Sequence, residues 1–256
     1  MIDLESVKNV FKEYVNTYDM SEEMIELKYK HSYNVMEYCV LIAESLKLSE
    51  EEVKLAGLIG LLHDIGRFEQ WRVYKTFLDK KSLDHGDYSI KMLFDNNLIR
   101  KFIETNKYDE VIKKSIKYHN KYKIGECNEV ELLFSKIIRD ADKLDIYNIL
   151  MDSYKKLEFS NEKITYKVFN DFINKKSIYG PDVIWRLDSK LVEMGFIFDF
   201  HFIKSYKIIN DKDYMNILFN LIIDKLLNKD SIEKIVNAKE VAINYLEEKL
   251  RSENNA

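Results

Sequence analysis

The run Glu50-Glu51-Glu52-Val53-Lys54-Leu55-Ala56-Gly57-Leu58-Ile59-Gly60-Leu61-Leu62 constrains the fold of this 256-residue chain more than any other stretch. Its apolar residues surround the helix axis instead of forming a stripe, and a helix apolar nearly all round belongs at the centre of a fold. Ser49 and Glu52 read as a capping box that starts it, and three acids sit where the positive end of the helix dipole favours them. Gly57 and Gly60 would let neighbouring helices pack closely. The run ends on His63-Asp64, and Gly66 just beyond can let the chain turn away.

The rest of the chain supplies helices to surround it. Leu4, Val7, Val10, Phe11 and Val15 recur at three- and four-residue steps. A start at Ser21 leads into a stripe of Leu27, His31, Val35, Tyr38 and Ile42, which turns His31 inward. Asp84 is a good N-cap for a helix from His85 to about Phe94, Tyr108 to His119 reads as another, and Glu129 to Leu150 as a strong one. The segment from Asp152 to Tyr179 is weaker, and Glu158–Ile164 could be a turn or a short hairpin. Gly180-Pro181 is the clearest punctuation; helices are expected beyond it at about Asp182–Glu193, Phe200–Ile209, Tyr214–Leu227 and Ser231–Leu250, with a frayed tail at Ser252–Ala256. Seven glycines and one proline, against abundant Leu, Ile, Lys and Glu, favour an all-α fold. No linker separates two domains. The expectation is one domain over 1–256, with a core at about 22–150 and a C-terminal helical extension at about 151–256 that packs against it and helps close its cleft.

Charge and cysteine content narrow the function classes. The net charge is -4, with acids and bases mixed throughout and no basic block, which argues against a nucleic-acid polymer as partner but not against a small anion. Cys39 and Cys127 form no CxxC pair and read as buried small residues in a reducing compartment. The N-terminus lacks signal-peptide character, and the apolar run before His63 is too short to span a bilayer. These features suggest a cytoplasmic protein with no membrane partner.

Four of the five histidines fall into one pattern with two aspartates: His31, His63-Asp64, His85, His119 and Asp142. Burying an adjacent His and Asp at the end of a central apolar helix is costly, and a divalent metal ion offsets that cost. Imidazole and carboxylate suit the ions that hydrolyse phosphate esters. Two such ions about 3.5–4 Å apart can hold a hydroxide between them, and a carboxylate can bridge them where a histidine cannot.

This ordered set resembles the HD-domain metal-dependent phosphohydrolases. Leu61-Leu62-His63-Asp64-Ile65-Gly66-Arg67 is similar to the family's doublet segment, and Ile138-Arg139-Asp140-Ala141-Asp142-Lys143-Leu144 to its closing segment, over about residues 27–145. The resemblance implies an all-α HD bundle. It implies that His31, His63, Asp64 and Asp142 bind one ion, and that Asp64, His85 and His119 bind a second, with Asp64 bridging. The ions could be Mn, Fe, Co, Ni, Mg or Zn. The implied reaction is attack by a metal-bound hydroxide on a nucleotide or other small phosphorylated metabolite, with Asp64 and Arg67 as candidate catalytic residues. A di-iron oxygenase of the same type and a non-catalytic nucleotide-binding regulatory module are the alternatives. No Gly-Tyr-Pro segment is present, so the cyclic-dinucleotide esterase branch is not supported, and Ile65-Gly66-Arg67-Phe68 stands where alarmone hydrolases carry a Glu-Asp pair.

Other residues are read more plainly. Arg67 either holds a substrate phosphate or is a surface arginine, and Lys91 is a weaker candidate for the same cleft. Asp140 and Asp145 are expected to be solvated or paired with lysine. His201, within Phe196–Phe202, is expected in core or in the apolar wall of a pocket, outside the metal set. Trp71 and Trp185 are read as packing residues, with a base-binding slot as the alternative.

Overall fold

A computed structural model describes residues 2–159, 161–178 and 180–253. Every regular element among them is helical: α1 (Leu4–Val15), α2 (Glu23–Ser45), α3 (Glu50–Leu62), α4 (Gly66–Tyr74), α5 (His85–Ile90), α6 (Ile99–Phe102), α7 (Asp109–Tyr118), α8 (Glu129–Lys155), α9 (Tyr166–Ile173), α10 (Arg186–Met194), α11 (Ile203–Asp211), α12 (Tyr214–Ile223) and α13 (Lys229–Glu253). The fold is all-α, as composition and periodicity predict. The chain forms two compact units, 1–145 and 146–256, and the boundary falls within α8.

In the first unit α3 is central. Leu55 to Leu62 are all buried, and the helix packs extensively against α2. The capping box is present: Ser49 N donates to Glu52 Oε2 at 2.8 Å, and Glu52 N donates to Ser49 Oγ at 3.4 Å. Gly60 is required by proximity, because a Cβ there would lie 2.8 Å from Met36 Cα and 2.9 Å from Cys39 Sγ on α2. Gly66 has a different reason from the expected turn. No glycine has a positive φ; a Cβ on Gly66 would come within 2.8 Å of Ser89 N, so its role is to bring the start of α4 against α5. Gly66 N also donates to Ser89 Oγ at 3.0 Å.

Several boundaries differ from the pattern. The second helix starts at Glu23, and its N-cap Glu22 makes no side-chain capping bond. Glu22 instead accepts from Trp71 Nε1 at 2.5 Å and from Lys75 Nζ at 2.8 Å, tying the start of α2 to the end of α4. Asp84 caps α5 as expected, accepting from Asp87 N at 3.0 Å, but the helix widens into a π-helical turn over Lys91–Asp95. No strand forms at 158–164; Ser160 in that segment lies outside the described residues.

The second unit has its own core, in which Phe172, Leu187, Leu191, Met194, Leu218 and Phe219 are fully buried. Asp188 is the polar anchor there, accepting from Thr165 N and Oγ1 and from Ile184 N and Trp185 N, all within 2.9 Å. Lys225 donates to the carbonyls of Tyr154, Lys155 and Leu157, satisfying orphan acceptors at the end of α8. Of the Phe196–Phe202 cluster, Ile197 and Phe200 are core, whereas His201 is exposed. Trp185 is 44 % exposed at the start of α10, so it forms no buried slot. The helix expected at 182–193 begins at Arg186, after a 3-10 turn at Gly180–Asp182. Of the tail expected to fray, Ser252 belongs to α13 and residues 254–256 lie outside the described residues.

Candidate metal centre

The side chains singled out by spacing meet at one place in the first unit. His31 comes from the middle of α2, His63 and Asp64 from the turn between α3 and α4, His85 from the first position of α5, His119 from the C-cap of α7 and Asp142 from α8. Two ligand-like groups result, His31 with His63 and Asp64, and Asp64 with His85 and His119; within each, the donor atoms lie within 4.8 Å of one another.

Asp64 joins the groups through its two oxygens. Oδ2 lies 3.6 Å from both His31 Nε2 and His63 Nε2, whereas Oδ1 lies 3.6 Å from His119 Nε2 and 3.7 Å from His85 Nε2. Asp142 Oδ1 is 3.2 Å from His31 Nε2 and 3.7 Å from His63 Nε2. All six side chains predicted from the sequence are thus brought together, and Asp142 sits with the His31–His63 pair.

Each histidine has its Nδ1 engaged elsewhere. His31 Nδ1 meets Asp145 Oδ2 at 2.7 Å, and Asn34 Nδ2 donates to the other oxygen of Asp145 at 2.9 Å. His63 Nδ1 meets the Gly60 carbonyl at 2.7 Å, His119 Nδ1 the Ile116 carbonyl at 2.6 Å, and His85 Nδ1 Asp79 Oδ2 at 2.6 Å. Since carbonyls and carboxylates only accept, the shared proton resides on Nδ1 of His63, His85 and His119, whose Nε2 atoms present lone pairs to the centre, whereas His31 stands between two carboxylates, Asp145 at Nδ1 and Asp142 at Nε2. This partnering of the far ring nitrogen is the arrangement that orients metal-bound imidazoles.

The centre is unsatisfied without a cation. His63 Nε2 and Asp64 Oδ1 are fully buried with no hydrogen-bond partner. His85 Nε2 and His119 Nε2 stand 3.0 Å apart, and with both protons on Nδ1 two lone pairs face each other. A divalent ion relieves both conflicts, so the residues present fit such a group.

Electrostatics support the same reading. Asp64 and Asp142 lie well below the usual carboxylate range; burial alone would raise both, but Lys28, His63, His119 and Arg67 hold Asp64 ionised, and His31 and His63 hold Asp142 ionised. Burial lowers His63, and lowers His85 to about 4. His31 is the exception: burial and Lys28 push it down, yet Asp142 and Asp145 outweigh them and raise it. Asp79 is held at about 2, against burial, by His85 and Arg67.

Several expectations change. Arg67 is no surface arginine: it is 9 % exposed, its Nη1 donates to Gln70 Oε1, the Phe77 carbonyl and Asp79 Oδ1, and its Nε lies 3.6 Å from Asp64 Oδ1. Lys91 is exposed and lines an outer depression with Tyr74, Asp84 and Asp87. Asp145 and Asp140 are buried, not solvated, because α8 is enclosed on nearly every side from Ile137 to Asp145. Trp71 packs at a tilt of 46° against Phe77 with ring centroids 5.1 Å apart, a packing role.

Two residues of the centre, Lys28 and Asp79, escape the sequence reading, and a third, Asp145, is misassigned by it. Lys28 Nζ donates to Asp64 Oδ2 at 2.6 Å; its signal is its place one turn before His31 on the same face of α2. Asp145 bears the same relation to Asp142 on α8. Asp79 belongs to an irregular segment and has no periodic signal. Arg139 also contributes, donating from Nη1 to the Tyr118 and Lys121 carbonyls and so pinning the end of α7 from which His119 projects.

Among protein families, the model of the HD domain aligns with residues 29–147, a segment that contains His31, His63, Asp64, His85, His119 and Asp142. Neither the curated proteins nor the solved structures provide a match. The HD domain is an all-α fold whose members are commonly metal-dependent phosphohydrolases. No helix among the described residues is long and apolar enough to cross a membrane.

Proposed function

We propose, on the match of residues 29–147 to the HD-domain family model, that the protein is a metal-dependent phosphohydrolase acting on a nucleotide or another small phosphorylated metabolite. The observation that carries the reading is the division of Asp64, whose two oxygens each face a pair of histidine Nε2 atoms. His31, His63, Asp64 and Asp142 would hold one cation, and Asp64, His85 and His119 a second. When bound, such ions polarise a phosphoryl oxygen and bring the pKa of a water toward neutrality.

The protein's own groups supply the rest. Asp64, ionised and fixed from both sides, holds the two halves of the site in register. Asp145, Asp79 and the Gly60 and Ile116 carbonyls hold the Nδ1 side of each ring and aim the Nε2 atoms inward. Arg67 and Lys28 flank the Phe77 ring, with Arg67 Cζ 5.4 Å and Lys28 Nζ 5.5 Å from its centroid. Their charges form a cationic wall beside Asp64, suited to the non-bridging oxygens of a phosphate. The free thiols Cys39 and Cys127 agree with a reducing, cytoplasmic setting.

The test is a panel of phosphomonoesters, phosphodiesters and nucleotides, incubated in the presence and in the absence of oxygen with the metal-reconstituted chain and with Asp64→Ala. The expected result is phosphate release by the wild type and its loss in the variant. Undiminished release by Asp64→Ala, or turnover that requires oxygen and frees no phosphate, would overturn the reading.

A further inference from the structure

The four histidines are not anchored alike. His63 and His119 each take the carbonyl three residues earlier, Gly60 and Ile116, so the helix that precedes the ring also orients it. His31 lies deep within α2 and takes Asp145 of the long helix α8. His85 is the first residue of α5, a helix of six residues, and no preceding turn can offer it a carbonyl. The acceptor for its Nδ1 is Asp79, a side chain of the segment between α4 and α5; Asn120 Nδ2, which can only donate, lies 3.3 Å from the same nitrogen.

Asp79 does two things at once. Its Oδ2 meets His85 Nδ1 at 2.6 Å, while its Oδ1 accepts from Arg67 Nη1 at 3.0 Å and from Gln70 Nε2 at 3.3 Å. Gln70 is fully buried and also donates to Ser82 Oγ and to the Leu83 carbonyl, so it fixes the segment that carries Asp79. No hydrogen bond or ion pair among the described residues joins Asp79 to His31, His63 or Asp142.

We propose that Asp79 is the positioning residue that gives this site its second cation: it turns His85 Nε2 toward Asp64 Oδ1 and, with its other oxygen, keeps Arg67 beside the same position. The proposal rests on the reading of the cluster as a two-cation site. Without Asp79 the His85 ring loses the acceptor that fixes its tautomer and its rotation, since the terminal imidazole torsion is broad. The His31–His63–Asp142 side keeps all its supports. Loss of Asp79 therefore converts the site from two cations to one.

The experiment is a Mn²⁺ titration of the metal-stripped full chain followed by electron paramagnetic resonance, for wild type, Asp79→Ala and Asp79→Asn. Wild type is expected to take up two equivalents with the spectrum of a coupled pair. Asp79→Ala is expected to keep the first at unchanged affinity and to bind the second about 10- to 100-fold more weakly, with an uncoupled single-ion spectrum. Asp79→Asn keeps an oxygen for His85 Nδ1 and should recover part of the second affinity. Two equivalents of unchanged affinity in Asp79→Ala overturn the proposal and leave the metal reading intact. Loss of both ions in that variant also overturns it, since Asp79 then supports the fold and not the second position. One equivalent in the wild type overturns the proposal alone, and none overturns the metal reading with it.

Discussion

Asp145 shows how far from the reacting atoms a determining residue can lie. It touches no substrate position, yet it is fully buried and takes His31 Nδ1 and Asn34 Nδ2 on its two oxygens. Asp145→Ala leaves those two donors without their acceptor and is expected to cost about 1–3 kcal/mol of stability. It should also weaken the ion on the His31 side about 10- to 100-fold, while the His85–His119 side is unaffected. Chelator competition read separately for each equivalent checks this; an unchanged first affinity contradicts it. The six converging side chains were legible because chemistry restricts which residues can ligate and helical spacing turns His31 inward. Asp145 and Lys28 were not distinguished because a single carboxylate or lysine one turn away resembles the many charged residues on solvated faces of this chain. Arg67 was ambiguous for a related reason: nothing in its neighbours predicts that the loop residues Phe77 and Asp79 fold back over it.

At the level of elements, pattern was informative wherever one helix buries a continuous face. The helix starting at Ser49 and the Asp84 cap could be read from side chains that bond the backbone within a few residues. The segment between α4 and α5 could not, because its structure comes from contacts with Gln70 and Arg67, which leave no period in the sequence. The widened end of α5 has no local marker either. The close approach of α2 and α3 makes a direct prediction. Gly60→Ala places a methyl group against Met36 Cα and Cys39 Sγ and is expected to destabilise the fold by about 1–3 kcal/mol. Thermal unfolding of variant and wild type checks it; an unchanged midpoint would show that the two helices separate without cost.

For the whole molecule, all six candidate ligands lie in the first unit, although Asp142 lies near its boundary within α8. A cation that binds only the folded state stabilises it by mass action, about 2.7 kcal/mol at a hundredfold excess over its dissociation constant. Chelation should therefore lower the unfolding midpoint of the wild type and leave that of Asp64→Ala unmoved; equal responses would contradict a cation held by the cluster. The most direct measurement is the Mn²⁺ content of the reconstituted full chain beside that of Asp64→Ala, by elemental analysis after removal of free ion. Tightly held manganese in the wild type and its absence from the variant are predicted. Equal content in the two proteins, or none in the wild type, would contradict a cation shared by the two oxygens of Asp64.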